Sequence, residues 1–68
     1  MTMERRQLEE TIETLVDKHG AQVVLQALAQ VCAEKADHVN TNWQDRALAK
    51  DWEHASDRMW DASIGVRV

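Results

Sequence analysis

The sequence predicts an all-α fold of three helices, at about residues 2–18, 21–39 and 42–62, with the second helix central. Three observations carry that prediction. Proline is absent and glycine occurs only at positions 20 and 65, in a chain rich in Ala, Leu, Glu, Gln, Lys and Arg, all strong helix formers. Apolar residues recur at steps of three and four, the helical period, and do not alternate as in a strand. Turn-forming residues fall at Gly20 and at Asn40–Asn42, dividing the pattern into three.

Helix 1 has Thr2 as a candidate N-cap and Glu4 as a favourable negative charge in the first turn. Leu8, Ile12 and Leu15, with Val16 beside them, form a narrow apolar stripe. Arg5, Arg6, Glu9, Glu10, Glu13 and Asp17 cover the rest. Lys18 and His19 suit the negative pole of the helix, and Gly20 supplies the residue that commonly ends one.

Helix 2 is apolar over more than half its circumference. Ala21, Val24, Leu25, Ala27, Leu28, Ala29, Val31, Cys32, Ala36 and Val39 fill that arc, and Gln22, Gln26, Gln30, Glu34 and Asp37 are confined to the remainder. So wide an arc implies more than one packing neighbour. The alanines let neighbouring backbones approach closely. Lys35 falls inside the arc, where its stem can lie on apolar surface while the ammonium reaches water.

The Asn40-Thr41-Asn42 break favours a turn. Thr41 followed by Gln44 matches a capping box at the start of helix 3. Leu48, Trp52, Ala55, Met59 and Ala62 then make one stripe, and Ser63–Val68, with a glycine and β-branched residues, is expected to leave the helix. Helices 1 and 3 thus offer one apolar face each, and helix 2 has enough for both.

Sixty-eight residues make a single helical domain, 1–68. A chain this short buries only about 60% of the surface its unfolded form exposes, so a disulfide, a metal or a second chain usually supplements it. Cys32 is the only cysteine, which removes an internal disulfide and a multi-thiolate zinc site. Oligomerisation or partner binding is the remaining supplement. A net charge of −4 argues against nucleic acid or an anionic membrane as partner, because both need surplus Lys and Arg. No apolar run approaches a membrane span. The first ten residues lack an apolar signal-peptide core, and with the lone thiol this fits the cytoplasm.

Trp43, Trp60 and Ile64 are the candidate partner-binding residues. Trp52 lies on the helix 3 stripe and reads as core, whereas Trp60 sits roughly 110° and Trp43 roughly 150° from the stripe centre. Such tryptophans either pack beneath the neighbouring turn and tail or anchor an interface, where Trp is enriched. Trp60 with Ile64 makes a patch near the end of helix 3.

Catalytic residues, metal ligands and cofactors are not expected. Glu34 and His38, and Lys50 and His54, share helix faces, but a metal needs three or four converging ligands. Cys32 in the apolar arc reads as a buried structural thiol, since a nucleophile needs a base and an orienting group. Residues Leu15–Leu28 superficially match a helix-turn-helix, yet the second helix lacks the arginines of a DNA reader. The acids of helices 1 and 3 outnumber their bases, five to three in each, but the signs are interspersed.

His19-Gly20, Val24-Leu25, Ala27-Leu28-Ala29, Val31-Cys32, Glu34-Lys35-Ala36, Asn42-Trp43-Gln44-Asp45, Leu48-Ala49-Lys50 and Trp52-Glu53 together resemble a family of short all-helical proteins of bacteria and their phages. The resemblance covers about half the chain, from His19 to Ala55. It implies a bacterial or phage origin and carries no established activity. The functional expectation is a non-enzymatic protein–protein interaction module, an adaptor or a self-associating bundle whose partner is itself or another protein. The alternative is a phage-type inhibitor that blocks a host protein through an acidic helical surface.

Overall fold

The computed structural model describes residues 4–68. It contains three helices, α1 (Arg5–His19), α2 (Ala21–His38) and α3 (Arg46–Ile64). A single wide π-helical turn, Val39–Trp43, prolongs α2. The all-α, three-helix expectation holds, and α2 is central. It contacts both other helices, while α1 and α3 do not touch each other among the described residues.

Small side chains hold α2 and α3 together. Ala29, Cys32, Ala36 and Val39 of α2 with its extension are buried, as are Ala49 and Ser63 of α3. The spacing on α2 is three, four and three. On α3 the half-buried Trp52, Ser56 and Met59 fill the interval between Ala49 and Ser63 at the same rhythm, the knobs-into-holes repeat of an antiparallel pair. The register is visible in polar contacts. The Ser56 hydroxyl donates to the Ala29 carbonyl at 2.7 Å, and the Gln22 amide donates to the Ser63 carbonyl at 2.9 Å. Both contacts need backbones in close approach, which alanine and serine allow. Cα–Cβ bonds tilt toward each helix N-terminus, so Cys32 and Met59 lean toward each other and their sulfurs meet at 3.8 Å.

This seam corrects the stripe expected on helix 3. Trp52 and Met59 lie in the seam, half-buried, and Ala55 is half-buried beside it, but Leu48 and Ala62 are exposed, and Ala49, Ser56 and Ser63 take the inner positions. At position 48 volume decides, since a leucine on the contact line would hold the helices apart, whereas Ala49 is small enough to close it. Trp52 is accordingly half-buried and not a core residue.

The connection between α2 and α3 also differs from the expected capping box. Thr41 lies inside the π-turn, where Asn42 donates from its side chain to the His38 carbonyl at 3.1 Å. Such local bonds compete with the regular ladder. Gln44 then turns the chain with a left-handed φ of 54°. Asp45 is the true N-cap, its carboxylate accepting from the Leu48 N–H at 3.0 Å. Helix 3 therefore begins at Arg46 instead of residue 42. At its other end it runs through Ser63 to Ile64, two residues past the expected stop. Ser63 is held there by complete burial and by a 2.6 Å bond from its hydroxyl to the Trp60 carbonyl.

Glu4 precedes α1 in extended backbone with no side-chain cap bond; the expected cap, Thr2, lies outside the described residues. Arg5–Glu9 at 3.1 Å and Arg6–Glu10 at 3.9 Å pair along the exposed helix surface. Gly20 closes the helix, its N–H donating to Val16 at 2.7 Å. At φ 89° and ψ 151° this residue occupies a region essentially reserved for glycine. It is the whole connection between α1 and α2. A Cβ there would come within 3.4 Å of the Val68 backbone, because the segment after α3 returns to this corner and the Val68 carbonyl accepts from the Gln22 N–H at 2.8 Å.

The result is flat and extended. The Cα extents are 37 × 34 × 14 Å and the radius of gyration is 13.7 Å, against about 11 Å for a compact domain of this length. The hairpin of α2 and α3 accounts for one long dimension, and α1, about 22 Å long, extends away from it within the same slab.

Two substitutions check these joints by urea denaturation. Gly20→Ala should lower stability by about 1–3 kcal/mol through backbone strain. Asp45→Ala should lose about 1 kcal/mol as a lost cap, whereas Thr41→Ala should leave the midpoint nearly unchanged; equal losses at Thr41 and Asp45 would contradict the cap assignment.

Candidate functional site

Most large apolar side chains of the described residues stay at the surface. Leu8, Ile12 and Leu15 of α1 are 43%, 42% and 41% exposed. Every α1 residue is exposed except the half-buried Val16, so the expected packing of this stripe into a common core is not realised within the chain.

The hairpin carries a second unspent surface. At 100° per residue, Val24, Leu28 and Val31 form one flank of α2, and Leu48, Ala55 and Ala62 form one flank of α3. Reversing the helix direction also reverses the sense of rotation, so in an antiparallel pair these flanks share one side of the hairpin. Leu28, Val31 and Leu48 are exposed, and Val24 and Ala55 are half-buried. With Trp52 and Met59 between them they make a largely apolar trough along the α2–α3 groove, with the exposed Lys35 on the same α2 flank.

The opposite side is more polar. There, two depressions lie along the same groove. One of about 400 Å³ is lined by Ala29, Gln30, Ser56, Asp57, Trp60 and Asp61. The other, of about 230 Å³, is lined by Ala33, Asp37, Glu53 and Asp57 among others. Their lining independently places the polar flanks of the two helices together.

The three residues singled out in the sequence do not converge. Trp60 and Ile64 are 51% and 66% exposed and stand one turn apart on α3, forming a patch on the polar side beside the larger depression. Trp43, 73% exposed, ends the π-turn at the other end of the hairpin. The helix from Arg46 to Trp60 alone spans about 21 Å. The trough was missed in the sequence because the excess apolar arc of α2 was assigned to α1 as cover. Its signal was present in the Val24, Leu28, Val31 spacing, which falls outside the seam line.

Cys32 is buried against the Met59 thioether. The His38 ring lies 3.0 Å from the Asn42 amide, and Glu34 accepts from Gln30 at 3.3 Å, so neither is turned toward the other. Among the described residues, no three His, Cys, Asp or Glu side chains are grouped to hold a metal ion, and every buried side-chain nitrogen or oxygen has a hydrogen-bond partner. No described helix is long and apolar enough to cross a membrane. Comparison with protein-family models, curated proteins and solved structures finds no match.

The tryptophans differ in what their loss should do. Trp43→Ala should shift unfolding stability by no more than about 0.5 kcal/mol, as at other surface sites. Trp52→Ala removes part of the trough floor and should lose about 1.5–3 kcal/mol. Denaturant midpoints of the two variants decide this, and a large loss at Trp43 would mean that its ring is covered.

Proposed function

We propose that the chain is a non-enzymatic protein–protein interaction module, an adaptor or self-associating unit that works in the cytoplasm of a bacterium or a phage-infected cell. The observation that carries this reading is apolar surface that the chain does not cover. An entire helix face, Leu8–Ile12–Leu15, and the trough flanked by Leu28, Val31 and Leu48 are open to solvent. Exposed apolar residues gathered along one helix face or groove mark an interaction site. The Trp60–Ile64 patch adds an aromatic anchor of the kind that dominates binding energy.

The bacterial or phage origin rests on the resemblance of residues His19–Ala55 to short helical proteins of bacteria and phages, and the cytoplasm on the lone thiol Cys32. An inhibitor acting through an acidic surface has less support. On α1, Glu9 and Glu10 are matched by Arg5 and Arg6, which leaves a mixed and not a single-sign face.

Capture from bacterial lysate, quantified by mass spectrometry, tests the reading. The wild-type chain should retain a specific protein, and Trp60→Ala should reduce that recovery about tenfold or more, the loss expected of an anchor worth over 1.4 kcal/mol. Equal recovery by wild type, Trp60→Ala and Trp43→Ala would refute the role given to the tryptophans. Recovery of nothing, by a chain that is also monomeric, would refute the module.

A further inference from the structure

We propose that the apolar trough of the hairpin is occupied by α1 of a second copy of this chain, in a two-fold dimer that exchanges these helices. The inference rests on the interaction-module reading and names its partner.

The first argument is reach. Helix–helix connections that fold one helix back along another take roughly 2–8 residues. Here the connection is Gly20 alone, and it is held against the Val68 backbone, which a Cβ at Gly20 would meet at 3.4 Å. Its own α1 therefore cannot double back to cover the trough, and the cover must come from another chain.

The second argument is reciprocity. Each chain presents one ridge, Leu8–Ile12–Leu15, and one trough, and joins neither to the other. Two copies related by a two-fold axis satisfy both at once, because ridge meets trough twice in an isologous contact. A heterologous partner would have to supply both complements itself.

The third argument is area. The accessible surface is 5850 Å² for a chain of 7.8 kDa. A compact monomer of that mass exposes about 4,400 Å². Each copy thus carries about 1,450 Å² in excess, and two copies hiding it would bury about 2,900 Å² in total, within the roughly 2,000–5,000 Å² of obligate homodimers.

Sedimentation velocity with circular dichroism on the full chain tests this, using Ile12→Glu in the ridge and Leu28→Glu in the trough. The wild type should run as a dimer. Each variant alone should dissociate at least tenfold more readily. Mixing the two variants should restore a dimer and its helicity, since the mixed pair keeps one intact ridge in one intact trough. That recovery is expected even where a single variant is poorly folded on its own. A mixture that stays monomeric overturns the exchange. A wild-type dimer indifferent to Ile12→Glu overturns it as well, while leaving self-association standing. A monomeric wild type that still captures another protein through Trp60 overturns the second copy as occupant and spares the broader reading; a monomer that captures nothing removes both.

Discussion

The close approach of α2 and α3 governs the rest of the molecule. Ala29, Ala36, Ala49, Ser56 and Ser63 recur at seven-residue steps on the two helices, and the Ser56 hydroxyl reaches the Ala29 carbonyl at 2.7 Å. At these levels the two backbones leave no space for leucine, and the half-buried Trp52 and Met59 fit only in the intervals between them. The larger apolar residues are displaced to the flanks, where one side of the hairpin gathers them. A seam of small residues is specific in register but removes little apolar area from water, and hydrophobic stabilisation scales with that area. Tight pairing and an uncovered trough are consequently one feature seen from two sides.

A second constraint acts at Gly20. A single residue in a glycine-only conformation, with Val68 packed against it, sets the direction in which α1 leaves the hairpin. The contacts Gln22–Ser63 and Gln22–Val68 stitch the start of α2 to the end of α3, so the corner is fixed from both sides. Joint and seam together determine that the apolar faces of α1 and of the hairpin coexist without meeting.

How much of this was legible in the sequence follows from what periodicity encodes. The three helices, the break at Gly20, the central place of α2 and the apolar character of each stripe are properties of local spacing, and they were readable. The alanines of α2 also announced a close neighbour. On α3, Trp52 and Met59 lie on the contact line as their spacing indicated, whereas Ala49 takes the place of Leu48 because side-chain volume, not hydrophobicity, decides there. Thr41 and Asp45 both carry oxygen acceptors at plausible distances from helical N–H groups, and the choice between them turned on the wide turn that Asn42 stabilises, a non-periodic feature. Trp60 and Ile64 were singled out from their angle to the stripe, and the exposure of Trp43 agrees with its own angle. What covers an apolar face is a tertiary fact. Leu8, Ile12 and Leu15 look the same in sequence whether they enter a core or face solvent.

The chemistry of α1 suits a helix that forms before its apolar face is covered. Isolated helices of 12–15 residues are marginal in water, and α1 has only 15. Its Arg5–Glu9 and Arg6–Glu10 pairs sit at the favourable spacing on exposed surface, and Lys18 and His19 oppose the carbonyl end of the helix dipole. These are local interactions that need no partner, and they leave the Leu8–Ile12–Leu15 face free. A helix already ordered loses less conformational entropy when it docks. Its apolar face can then contribute to association with less of the gain offset by folding. The charged face of α1 holds the shape, and the apolar face is left for contact.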